Sequence, residues 1–336
     1  MEWDGHDNSG LDFRVLGPVE LHDHRSGART VPSGAKQRAL LASLVARAGE
    51  ALSTERLVDE LWGDRPPVRA ANALQAHVAR LRRLLPDTGG LHDGPRIVTH
   101  PLGYLLRLGP ASTDAQRFQR LSEQGRAAVV ADPAHAAELL RRALELWRGP
   151  ALEGSGRGPI CAREAERLEQ GRLTALETFY EARLRGARHA EITEELERLT
   201  VAHPTRERFY DLLMLALYRC GRHSEALGVY ERARQRLMAE IGIAPGPSLR
   251  ARMESILHRE PGLGSDPVPG PEPVATAGPY APAPAVGALS ATGAGVSDLG
   301  REIVRLRARI DAIGREQEEL ARRFALLSQE AAGPLG

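Results

Sequence analysis

Residues 68–85 read VRAANALQAHVARLRRLL. Wound as a helix of about 3.6 residues per turn, the segment sorts into two faces. Leu74, Val78, Leu81 and Leu85 fall in one narrow sector, which has to meet a core. The opposite sector carries Arg69, Asn72, Ala76, Arg80 and Arg83, at steps of three and four that keep them on a single stripe. Ala73 and Ala79 flank the stripe, while Gln75, His77 and Arg82 lie toward its edges. A stripe of this kind is either a solvated charged face or a surface shaped for a DNA major groove. The groove admits a helix, a guanidinium can bond guanine O6 and N7 together, and an asparagine can do the same with adenine N6 and N7. Alanines between them allow close approach.

The neighbouring sequence narrows the choice. Upstream, LDFRVLGPVEL (11–21) alternates and turns at Gly17-Pro18, as a short sheet does. Ala35–Ala48 and Ser53–Trp62 have helical periodicity, with Ser53 placed as an N-cap and Gly49 and Gly63 as stops. Pro66-Pro67 separates the second helix from the third. Downstream, RIVTHPLGYLLRL (96–108) reads as a hairpin with Pro101–Gly103 at its tip. Strands, three helices and a hairpin are the order of a winged helix.

The whole chain, 336 residues and 36.5 kDa, suits two domains plus extensions. Its 45 basic and 44 acidic residues leave a net charge of +1. By segment the balance is −3 over 1–9, +4 over 10–108, +2 over 109–260 and −2 over 261–336, so the excess positive charge sits in the first hundred residues. Only one basic residue, Lys36, is a lysine. Two cysteines, Cys161 and Cys220, exclude a disulfide framework and a cysteine-based zinc cluster. No apolar run reaches the ~18 residues of a membrane span. The acidic, polar MEWDGHDNSG is no signal peptide, so a soluble, cytoplasmic, nucleoid-associated protein is expected.

Residues 113–259 read as nearly all helix. Pro133, Pro204 and Pro247 are placed for helix first turns, and Gly186 and Gly221 for turns between helices. Small residues Ala226 and Gly228 beside Tyr218 and Tyr230 suit the close antiparallel pairs of tetratricopeptide-like repeats. Tyr180, Phe209 and Tyr210 are read as core. Residues 260–296 are a Pro/Ala/Gly-rich linker unable to offset its ordering entropy. Residues 297–330 carry a heptad seam of Leu299, Ile303, Leu306, Ile310, Ile313, Gln317, Leu320, Phe324 and Leu327. A dimerising coiled coil is favoured over an amphipathic helix folded back on the second domain. The expected fold is thus mainly α with a small α+β N-terminal domain, and residues 1–9 form a disordered tail.

The chain offers little to other chemistries. Its histidines lack a clustered carboxylate frame, so no metal site is expected. No Gly-x-Ser-x-Gly elbow, catalytic Ser/His/Asp set or phosphate-binding G-x-x-x-x-G-K-[ST] loop is present. Neither an enzyme nor a cofactor is expected.

Residues 11–108 resemble the OmpR/PhoB-type winged-helix domain, in the leading sheet, Leu61-Trp62-Gly63, NALQAHVARLRRLL (72–85) and IVTHPLGY (97–104). The resemblance implies that Asn72, Ala73, Ala76, His77 and Arg80 face base edges, with Arg69 on the same stripe. It places Arg82 or Arg83 and the Trp62 indole N–H on the DNA backbone, with Lys36 and Arg38, at the start of the first helix, as further phosphate contacts. His100 stands where the wing of this family usually carries an arginine, which implies a weaker or pH-sensitive wing contact. Residues 114–258 resemble the bacterial transcriptional activator domain, through DAQRFQRLSEQGRAA (114–128), HAAELLRRALELWRGPAL (135–152), HPTRERFYDLLMLALYRCGRHSEALGVYERARQRL (203–237) and IGIAPGPSLRARMESIL (241–257). The two in this order resemble the Streptomyces antibiotic regulatory protein family. That implies a sequence-specific activator of a specialised-metabolite gene cluster. It would bind direct repeats in double-stranded DNA near a promoter as a homodimer and recruit RNA polymerase through its sigma and alpha subunits. The competing expectation is a helical-repeat scaffold or ligand sensor that does not act through DNA.

Overall fold

The computed structural model describes residues 11–85, 96–109, 111–156, 158–187, 189–260 and 263. The N-terminal tail and the heptad segment lie outside these residues, as does the linker apart from Glu260 and Leu263. Leu263, read from sequence as linker, is buried against the helical half, where its carbonyl accepts from Arg219 Nε at 3.1 Å.

The chain begins with a meander, β1 (Leu11–Arg14), β2 (Glu20–Asp23) and β3 (Arg29–Thr30). β1 pairs antiparallel with β2, with Phe13 opposite Leu21, and β2 pairs antiparallel with β3. The sheet is completed by β7 (Ser112–Thr113), which runs parallel to β1 on its other edge. Leu11, Asp12 and Phe13 are all buried, so the strand has no solvent face. The reason is an ion pair: Asp12 receives both guanidinium nitrogens of Arg117, at 2.9 and 2.6 Å.

Three helices follow, α1 (Ala35–Ala46), α2 (Thr54–Trp62) and α3 (Ala70–Leu84). Ser53 caps α2 by accepting from the Arg56 amide at 3.2 Å, and Gly63 ends that helix at positive φ. Leu40, Leu41 and Leu44 of α1, Leu57 of α2, and Leu74, Val78 and Leu81 of α3 share one core. A second sheet, in the order β4-β6-β5, closes the unit: β5 (Arg96–His100) and β6 (Gly103–Arg107) form the hairpin, and β4 (Leu52–Ser53) adds to β6. The hairpin can dock there only because residue 103 is glycine. A Cβ at that position would lie 2.1 Å from the Leu52 carbonyl oxygen.

Seven further helices run from α4 (Asp114–Ala128) through α5 (Pro133–Leu144), α6 (Pro159–Arg185), α7 (His189–Ala202), α8 (Glu207–Arg219) and α9 (His223–Ile241) to α10 (Pro247–Leu257), counted among the described residues. Thr113 and Gln116 form a capping box on α4. Proline opens α5, α6 and α10, where its missing N–H is not needed. Pro204 departs from the sequence reading: it precedes α8 by three residues, and its carbonyl accepts from the Tyr210 hydroxyl at 3.1 Å. Packing among α6, α7, α8, α9 and α10 buries Tyr180, Phe209 and Tyr210.

The first core does not stop at the chain boundary near residue 109. Leu152, Ile160 and Cys161 belong to it. Polar anchors cross the same junction. The buried Glu60 carboxylate accepts from the amides of Ile160 at 2.6 Å and Cys161 at 3.1 Å, the first turn of α6. Asp114 accepts from the amides of Val15 at 2.8 Å and Leu16 at 3.0 Å. Cys161 is a buried packing residue whose thiol is pushed up to about 12, chiefly by burial, so it is not a reactive thiolate. Cys220, at the end of α8, is only half-buried.

Candidate nucleic-acid interface

α3 carries the two faces expected of it. Leu74, Val78 and Leu81 are at most 1% exposed. On the far side Arg69, Asn72, Ala76, Arg80 and Arg83 are exposed, with Ala73 and His77 half-buried at the edge of the stripe. The helix starts after a turn, 63–69, in which every residue is exposed, and Arg69 stands in its N-cap position. Val68, read from sequence as the first helical residue, lies in this turn and is fully exposed (104%).

The charges on this face differ from most of those in the helical half. Several arginines of the helical half are matched to carboxylates one turn away, as in Arg141 with Glu138, Arg167 with Glu164 and Arg234 with Glu231, and others pair across helices, as in Arg206 with Glu177. α3 contains no acidic residue, and among the described residues Arg69, Arg80 and Arg83 have no carboxylate partner. Such groups keep their full attraction for a polyanion. Arg82 is spent differently: its Nε donates to the Ile97 carbonyl at 2.9 Å and an Nη to the Thr99 hydroxyl at 2.8 Å. It ties the helix to the hairpin. At the hairpin tip the Leu102 amide donates to His100 Nδ1 at 3.3 Å, so that nitrogen is engaged within the tip.

The other phosphate candidates are also held within the chain. Arg38 donates from Nε to the Gly154 carbonyl at 2.8 Å and from an Nη to the Pro32 carbonyl at 3.1 Å, so it spans the domain junction. Lys36 Nζ donates to the Leu61 carbonyl at 2.5 Å and lies 5.0 Å from the Trp62 ring centroid. Trp62 in turn packs against the His77 ring at 6.0 Å. Burial first, then the charges of Arg80 and Lys36, hold the His77 pKa below 6.5, and its buried Nδ1 has no hydrogen-bond partner. His77 is therefore neutral at pH 7. As pH falls below 6.5 the unfolded chain takes up this proton before the folded one does, so stability is lost on acidification. His77→Gln should flatten the fall in thermal midpoint between about pH 7 and pH 5; an unchanged native-minus-variant difference across that range would contradict it.

Sequence reasoning overlooked Glu60, the anchor between α2 and α6, and no local signal marks it, because its partners lie 100 residues away. Among the described residues no group of His, Cys, Asp and Glu could hold a metal ion, and no helix is long and apolar enough to cross a membrane.

Residues 28–106 match the family model described as transcriptional regulatory protein, C terminal, and residues 113–257 match the bacterial transcriptional activator domain. The chain is 44% identical over 254 residues to the transcriptional regulator RedD of Streptomyces coelicolor, covering 75% of this chain and 72% of RedD. It is 37% identical over 272 residues to the regulatory protein DnrI of Streptomyces peucetius, covering 80% of this chain and 98% of DnrI. The chain belongs to the Streptomyces antibiotic regulatory protein family. A solved structure of Mycobacterium tuberculosis EmbR, in complex with a low affinity phosphopeptide, superposes with a TM-score of 0.67 at 34% identity. That match covers 75% of this chain and 66% of the EmbR chain. As a member of this family the chain is a transcriptional regulator whose first domain is a DNA-binding winged helix. The arginine stripe of α3 is the exposed face of that domain's third helix.

Proposed function

We propose that this regulator activates transcription by seating α3 in the major groove of direct repeats near a promoter. Arg69, Asn72, Ala73, Ala76, His77 and Arg80 meet base edges, and Arg83, the Trp62 indole N–H and His100 Nε2 meet the backbone. The observation that carries this reading is the acid-free arginine stripe of α3, exposed and without carboxylate partners among the described residues. Two chains bind head to tail as a homodimer, and the protein recruits RNA polymerase through its sigma and alpha subunits. The regulated genes form a specialised-metabolite cluster.

The test is binding to promoter fragments of the neighbouring cluster, titrated with salt, against random duplex. Preference for one fragment, with affinity falling steeply as salt rises, is expected; no salt-dependent affinity for either duplex would return the chain to the scaffold reading. The heptad over 297–330 supplies a second contact between chains. Removing residues 297–336 should lower the oligomer mass in light scattering and leave the thermal unfolding of the remainder unchanged. An unaltered mass would assign that segment to a fold-back helix.

A further inference from the structure

Lys36, the only lysine in the sequence, reaches from α1 to the end of α2, the helix that precedes the DNA-reading helix. α2 ends at Trp62, and its final carbonyls, beyond that of Asp59, which accepts from the Gly63 amide, lack helical partners. Lys36, reaching across from α1, donates to one of them, that of Leu61, and places its charge at the negative end of the helix. The same ammonium sits over the Trp62 ring, where the π face attracts a cation. Trp62 leans on His77, which lies at the edge of the exposed stripe between Ala73 and Arg80. One residue before Leu61, Glu60 is bound to the first turn of α6.

We propose that Lys36 is a positioning residue for DNA reading: it locks the end of α2 and the Trp62 ring so that α3 is held at one angle to the rest of the domain. This rests on the DNA-binding reading above and departs from a phosphate role for Lys36. Lys36 is exposed, but its ammonium is shared between a carbonyl and an aromatic face, both inside the protein, and these contacts orient its neighbours.

The two roles separate in a salt titration of full-length protein on its preferred promoter fragment. A phosphate contact contributes about 0.9 to the slope of log affinity against log salt. Lys36→Met keeps the length of the side chain and removes the charge. It is expected to weaken binding about fivefold with the slope unchanged, and Lys36→Arg is expected to restore most of the affinity. The Trp62 emission, taken as native minus Trp62→Phe, should shift in Lys36→Met without DNA present. A slope lowered by about 0.9 in Lys36→Met, or an unshifted Trp62 emission, overturns the positioning role. If the native protein binds no duplex selectively, the DNA reading fails on its own, and the emission alone decides whether Lys36 holds Trp62.

Discussion

Glu60→Ala is expected to destabilise the protein by about 3 kcal/mol or more, out of proportion to one polar side chain in a short helix. The carboxylate is 5% exposed and is the acceptor for two amides of the α6 first turn, at 2.6 and 3.1 Å. Removing it strands two buried N–H donors, each costing about 1–3 kcal/mol, and also removes a negative charge from the positive end of a 27-residue helix. Glu60→Gln keeps one acceptor oxygen and should lose less, about 1–2 kcal/mol. The opposite wall offers an independent probe. A Cβ on Gly158 would stand 2.4 Å from the Glu60 carboxyl carbon and backbone oxygen, so Gly158→Ala should expel the carboxylate and reproduce the loss. Urea midpoints at constant slope measure all three. If Glu60→Ala and the native chain unfold within 1 kcal/mol of each other, the anchor is solvated in solution and the junction is held by apolar contact alone.

Arg80→Ala is expected to cost about 1–3 kcal/mol on the preferred duplex and much less on random DNA, because a guanidinium that reads a base edge contributes to discrimination. Arg83→Ala, one turn on, should weaken both duplexes alike and lower the salt slope by about 0.9. Each is exposed and free of carboxylate partners among the described residues, so neither substitution removes an ion pair from the fold. Thermal stability should change by no more than ~0.5 kcal/mol, the range of ordinary surface substitutions. Fluorescence anisotropy on matched and scrambled fragments separates the two residues. Equal losses on both fragments for Arg80→Ala would move it from the bases to the backbone.

The periodicity of 68–85 was enough to place the leucines inside and the arginines outside, because an amphipathic helix has one side that must leave water. Ser53, Gly63, Pro133 and Pro247 marked helix ends because capping and φ restriction are local properties of those residues. Pro204 failed as such a marker because a turn before a helix uses proline equally well. Arg69, Arg80 and Arg83 were legible as a free stripe because α3 has no acid within a turn of them. Arg38 and Arg82 look the same in one dimension, yet both are engaged with carbonyls supplied by distant backbone.

Sequence alone therefore determined the order of elements, the buried and exposed sides of α3 and the family of the chain, since each depends on residues within a few turns or on long matched runs. The tertiary structure decided which cations remain available and how the two halves join. Asp12 with Arg117, Glu60 with the α6 amides, and Lys36 with Leu61 and Trp62 are pairings across 25 to 105 positions. Whether a charged side chain serves the fold or faces a ligand depends on acceptors that only folding brings within 3 Å, and no pattern of neighbours along the chain contains that distance.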